Sequence, residues 1–163
     1  MNTWRHILHP TDFSGASRRA FRWAIQFGRQ HGAEVVVMHV LTTSAYEADL
    51  IGWPAFYEAY QADRRRRAER AIAALVATAQ RRGVNARGLV LEGVPAREIP
   101  RWAASMRADV VMMGTHGGRG IRRLLFGSIA DAVIRRAPCP VLTVRAGSIL
   151  TLRKHDRQDR VAA

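Results

Sequence analysis

The segment Val110-Val111-Met112-Met113-Gly114-Thr115-His116-Gly117-Gly118-Arg119-Gly120-Ile121-Arg122-Arg123-Leu124-Leu125-Phe126-Gly127-Ser128-Ile129 decides the reading of the chain. Val110 to Met113 is an apolar run too short for a typical helix and suited to a buried strand. Glycines then follow from Gly114 to Gly120. Beyond them a helical pattern places Ile129, Val133 and Ile134 inward and stops at Ala137-Pro138. Strand, glycine-rich loop and helix in that order make an anion site. Glycine lets the backbone turn sharply and approach a ligand closely. The free N–H groups at the helix start, near Gly127 and Ser128, attract negative charge. Ser128 adds a hydroxyl, and Arg119, Arg122 and Arg123 add positive charge beside it. Two familiar phosphate motifs are excluded. A Walker loop needs a lysine that this loop lacks. A dinucleotide fingerprint belongs after the first strand, where this chain has His9-Pro10-Thr11-Asp12-Phe13-Ser14 and no glycine pair.

Working outward, short apolar runs alternate with longer amphipathic stretches. Ile7-Leu8, flanked by His6 and His9, reads as a first strand ending at Pro10. Ser14 caps a helix with Ala20, Ala24 and Phe27 at helical spacing, Trp23 nearby, and Gly32 at its stop. Glu34 to Leu41 is a second, buried strand. Residues 42–59 read as irregular, with Trp53-Pro54 as a helix breaker. A second helix is expected from about Gln61 to Gly83, with Ile72, Leu75, Val76 and Ala79 on one face and Arg64-Arg65-Arg66-Arg67 near its start. Leu89-Val90-Leu91 is a third strand. A third helix carries Ile99, Ala103 and Met106, and Pro100 predicts an irregular or late first turn. Val141 to Val144 is a fifth strand. This alternation predicts an α/β domain with a parallel sheet, helices on both faces and right-handed crossovers. Residues 1–146 form the expected domain, and 147–163 read as a flexible basic tail.

At 163 residues the chain suits one domain. Hydrophobic residues at 48% and charged residues at 24% are close to average globular usage, which rules out disorder as the whole answer. Charge is the outlier: 26 basic against 13 acidic residues, a net +13. Lys154 is the only lysine, which excludes lysine-based chemistry in the body of the chain. Such a balance predicts an anionic partner: nucleic acid, an acidic membrane surface or the phosphates of a small molecule. Residues 1–50 carry 5 basic and 4 acidic groups, 51–107 carry 11 and 5, and 108–163 carry 10 and 4, so the excess is uneven. One cysteine, Cys139, excludes an intrachain disulfide framework and reads as a packed thiol. No signal peptide is visible and no apolar run approaches the roughly 18 residues of a membrane span, so a soluble cytoplasmic protein is expected.

The spacing Gly114-x2-Gly117-x9-Gly127-Ser128 resembles the nucleotide-binding motif of the universal stress protein family, G-2x-G-9x-G-S/T, at every fixed position. Ile7 to Asp12 resembles that family's first strand with its terminal aspartate. Met38-His39-Val40 resembles the end of its second strand, and Ala137-Pro138-Cys139-Pro140-Val141-Leu142 the entry to its last. The resemblance covers about residues 4–146 and departs at Pro100 and in the Arg-rich, aromatic segment 44–70. It implies a five-stranded sheet of order 3-2-1-4-5, with a ligand crevice at the switch point between strands 1 and 4. It further implies ATP, with Mg2+ as an optional companion bridging phosphate oxygens. Pro10, Thr11, Asp12 and Val40 would then line the adenine and ribose side. Gly114, His116, Gly117, Gly127, Ser128 and Ile129 would hold the phosphates. A homodimer through the fifth strand, Val141 to Val144, is implied as well; an open sheet edge invites pairing.

The leading functional expectation is therefore an ATP-binding regulatory or protective module. Slow ATP hydrolysis or phosphate transfer is the enzymatic alternative. It would require His116, Asp12 or a nearby arginine to position the attacking group, and no nucleophile, base and orienter form a recognisable triad. A nucleic-acid-binding module using the Arg-rich surface is the third reading. Against these stand plainer roles: Asp12 as a helix cap, His9 and His39 as structural groups at strand ends, and Arg64 to Arg67 as a solvated helix face. Tyr46, Trp53, Phe56, Tyr57 and Tyr60 could shield the site, form a subunit contact or pack the long loop.

Overall fold

A computed structural model of the chain describes residues 4–42, 54–115 and 127–145. The elements alternate as predicted: β1 (His6–Pro10), α1 (Gly15–His31), β2 (Glu34–Leu41), α2 (Pro54–Arg81), β3 (Ala86–Glu92), α3 (Pro95–Ser105), β4 (Val110–Thr115), α4 (Ser128–Arg136) and β5 (Val141–Arg145). The strands form one parallel sheet in the order β3-β2-β1-β4-β5. The period-2 alternation of strand side chains divides the core in two. Ile7, Val35, Val37, Val110 and Met112 point to the face covered by α1 and α2. Their neighbours Leu8, Val36, Met38, Val111 and Met113 point to the face covered by α3 and α4. Strands buried on both faces need continuous apolar runs, and that need explains Val35-Val36-Val37-Met38, all fully buried.

Helix α1 is held at both ends as its sequence suggests. Ser14 is the N-cap and accepts from Ser17 N, and Gly32 closes the helix at φ 64°. Three expectations need correction. Residues 54–59 are helical, because proline is tolerated in a first helical turn, where its missing N–H has no partner to lose. Pro54 therefore starts α2, and Arg64 to Arg67 lie in its third turn and beyond; residues 43–53 are outside the described residues. Helix α3 is regular from Pro95, with Pro100 inside it. Pro100 removes the donor to one carbonyl, but burial of Pro100, Ile99 and Ala103 outweighs that loss. In α4 the buried residues are Ala130 and Val133, whereas Ile129 turns outward and is 42% exposed. The tail after Arg145 lies outside the described residues. Among the described residues no helix is long and apolar enough to cross a membrane.

Candidate functional site

Strands β1 and β4 pair only at Ile7 with Val110 and Leu8 with Val111, then part. Pro10 explains why the separation costs little. Successive N–H groups of a strand address opposite neighbours. Thr11 N donates to Met38 of β2 at 2.8 Å, so the N–H that Pro10 lacks would have faced β4. His9 spans the gap instead. Its Nδ1–H donates to the Met112 carbonyl at 2.8 Å, and its ring packs on Phe21 with centroids 5.4 Å apart. The side chain is fully buried, and burial pushes its pKa down from 6.5 to about 4. The Met112 hydrogen bond and the charge of Asp12 oppose that shift without reversing it. His9 is thus a neutral structural strut at the switch point.

The turn from β1 to α1 is wired to itself. Asp12 Oδ1 accepts from Ser14 N at 2.9 Å, the local bond by which aspartate shapes a turn. Thr11 Oγ1 accepts from Phe13 N at 3.0 Å and shares a 2.5 Å hydrogen bond with Ser17 Oγ. His39 Nδ1–H donates to the Thr11 carbonyl at 2.7 Å, and its ring lies 4.6 Å from that of Phe13. Phe13 itself sits at φ 62°, a conformation costly for a bulky residue.

Above this turn, at the carboxyl ends of the strands, lies a cavity of about 280 Å³. Pro10, Thr11, Asp12, Val40, Gly114, Gly127, Ser128 and Ile129 all line it, so eight sequence-selected residues from four separate segments converge there. His116 and Gly117 lie outside the described residues. Sequence reasoning did not select Ser17, Met38, His39, Pro95, Ile99, Met113, Thr115 or Ala130, which also line the cavity. Met38 and His39 could have been found from their place at the end of β2. Pro95 and Ile99 open α3, and helix starts border the crevice of an open α/β sheet.

The walls differ in chemistry. Met38, Val40, Pro95, Ile99 and Met113 supply apolar surface. Thr11, Asp12, Ser17, His39, Thr115 and Ser128 supply polar groups, and the cavity is bordered by the start of α4. Gly127 is its N-cap and offers no side-chain cap. A Cβ built on Gly127 would meet nothing within 4 Å, whereas one on Gly114 would lie 2.5 Å from Ala16 C and clash with Ser17 N. Packing against α1 therefore requires Gly114 to be glycine, while no described protein atom requires it of Gly127. Thr115 is 1% exposed, and its hydroxyl has no hydrogen-bond partner among the described residues. A buried hydroxyl is costly without one. Among the described residues no group of three or more His, Cys, Asp or Glu side chains could hold a metal ion.

Other candidates fall away from the site. Cys139 is partly buried, and burial, helped by the charge of Asp109, pushes its pKa up to about 11, so it stays a protonated thiol at neutral pH. The arginine run of α2 is largely engaged. Arg65 pairs with Glu92 at 2.8 Å and Glu69 at 3.7 Å, Arg67 pairs with Asp63 at 2.7 Å, and Arg64 donates to the Thr42 carbonyl at 2.8 Å.

A sequence model of the universal stress protein family matches residues 3–145. A universal stress protein of Methanocaldococcus jannaschii is 36% identical over 146 residues, covering 88% of this chain and 84% of that protein. Among solved structures, the universal stress protein of Archaeoglobus fulgidus in complex with dAMP superposes with a TM-score of 0.62 at 22% identity, covering 88% of this chain and 99% of that one. A universal stress protein family member of Arabidopsis thaliana with AMP bound gives a TM-score of 0.62 at 17% identity, covering 86% and 91%.

Proposed function

The chain belongs to the universal stress protein family, and from that premise we propose that it binds an adenine nucleotide, ATP foremost, in the crevice between β1 and β4. The observation that carries the reading is the start of α4. Its N-cap is a glycine that no described protein atom demands, its first turn has no side-chain cap among the described residues, and it borders a cavity with a largely apolar lining. A purine fits the apolar wall of Met38, Val40 and Ile99, and a phosphate fits the positive end of α4. Ser128 and the Thr115 hydroxyl, which has no partner among the described residues, supply donors on the phosphate side. Pro10, Thr11, Asp12 and Val40 line the adenine and ribose side. His116 and Gly117 join the phosphate ligands on the strength of motif spacing. The dAMP and AMP complexes of two structural neighbours support an adenine base. The protein offers no metal cage among the described residues, so Mg2+ would travel with the phosphates rather than hold a place of its own.

The proposed activity of this site is binding. Asp12 spends one carboxylate oxygen on Ser14 N, and His39 spends Nδ1 on the Thr11 carbonyl. The nucleotide then acts as an effector that stabilises the folded chain by mass action, in keeping with a regulatory or protective cytoplasmic module. Among the described residues strand β5 is an edge of the sheet and pairs only with β4, so a second copy pairing along Val141 to Val144 completes the proposal. Thermal unfolding with and without ATP tests the reading. At a hundredfold excess over Kd the stabilisation is about 2.7 kcal/mol, a Tm rise of roughly 5–10 °C for a chain of this size. An unchanged Tm at millimolar ATP, with no nucleotide released from the purified protein, would sink it.

A further inference from the structure

The outward face of α1 carries Arg19, Arg22, Gln26, Arg29 and Gln30, all exposed, and α1 contains no acidic residue. Arg22, Gln26, Arg29 and Gln30 form an open groove with Ile25 and with Arg82 from the turn after α2. Residues 80–86 contain no acidic residue either. None of Arg19, Arg22, Arg29 and Arg82 makes an ion pair among the described residues, in contrast to Arg65, Arg67, Arg87, Arg101 and Arg135. The regional charge count hid this face, because the acids of residues 1–50 lie outside α1. Among the described residues, α1 with Arg82 is thus a positive surface with no acidic residue on its own segments, on the side of the sheet away from α3 and α4, whereas the arginine run of α2 carries ion pairs at Arg65 and Arg67.

We propose that this face binds the sugar-phosphate backbone of a nucleic acid. Arg19 to Arg29 spans ten residues of helix, about 15 Å at about 1.5 Å per residue, or roughly four phosphate steps at about 3.4 Å. Guanidinium groups hold phosphate oxygens in a bidentate fork, and the two glutamines add neutral donors and acceptors for sugar and phosphate. An acidic membrane fits less well. Binding in the bilayer interface needs apolar anchors, and the large exposed apolar side chains of the described residues are Phe56, Val94 and Ile129, none of them on α1.

The test is fluorescence anisotropy of the full chain with a labelled duplex and a labelled single strand across salt concentrations. Four phosphate contacts predict a slope of log affinity on log salt near −3.6, a loss of roughly 150-fold between about 50 and about 200 mM. The triple variant Arg22→Ala, Arg29→Ala, Arg82→Ala should lose at least about tenfold in affinity and flatten the slope by about 2.7. The control Arg65→Ala, Arg67→Ala, Arg135→Ala removes equal charge from ion-paired sites and should leave affinity within about threefold. Circular dichroism and ATP binding report whether each variant is folded, and both should match the native chain for the α1 variant, which keeps this result separate from the nucleotide proposal. No binding at about 50 mM salt overturns the proposal. So do equal losses in the two variants, or equal or tighter binding to phosphatidylserine vesicles or polyglutamate.

Discussion

A side chain at Gly114 would run into the backbone of Ala16 and Ser17, whereas a side chain at Gly127 would meet no described atom within 4 Å. The two glycines belong to one motif, and the two ends of the β4–α4 unit use them differently. At the end of β4, the missing Cβ lets α1 lie directly on the strand. At the start of α4, it leaves a helix terminus beside the cavity with no side-chain cap among the described residues. A glycine pattern in a sequence therefore mixes a position that packing requires with one that no described contact requires, and the proposed function assigns the second to a ligand.

The sharpest way to break this comparison is Gly114→Val. Backbone atoms cannot yield as a flexible side chain can, so the variant should lose about 3 kcal/mol or more and express largely unfolded. Urea unfolding near native stability would show that the close approach is not required. Acid should have the next largest effect, at the same junction. His9 has a pKa of about 4 in the folded chain against 6.5 unfolded, so between these values the unfolded chain binds the extra proton. Stability then falls as pH drops through that window, by about 2–3 kcal/mol at pH 4.5 relative to pH 7. His9→Gln should remove that component of the pH dependence in denaturation curves. Thr11→Val sharpens the account of the turn. It deletes the acceptor of Phe13 N and the bond to Ser17 Oγ, which predicts a loss of about 1–2 kcal/mol, measurable as a shift in urea midpoint at constant slope. Gly127→Val should have the smallest effect on stability, no more than about 1 kcal/mol, because it trades one uncapped N-cap residue for a poorer one.

Much of the architecture was legible in the sequence. The runs around Ile7, Val35 to Met38 and Val110 to Met113 are apolar because both faces of the sheet are covered, and such runs stand out against polar helices. Strand β3 was less visible. Its first residues, Ala86-Arg87-Gly88, look like a loop, but Gly88 is where α2 approaches so closely that a Cβ would clash with Ile72. Pro54 and Pro100 misled in the same way: a local breaker was read without the helix position or the burial that decides its cost. In the candidate site, the residues found were those with a spacing or a chemistry to announce them. Met38, Ile99 and Thr115 reach the cavity only through the convergence of strand ends and helix starts, which local sequence does not display. His9 stood out as a histidine at a strand end, but its hydrogen bond to Met112 crosses more than a hundred residues of chain.

The central claim is that Gly127 is glycine for a ligand and not for the fold. Paired calorimetric titrations of ATP into the native chain and into Gly127→Val, each checked for an unchanged unfolding curve, test it most directly. The account predicts saturable heat for the native chain and at least a tenfold weaker Kd for a variant that remains folded. Equal affinity in the two proteins, or no heat in either, would contradict it.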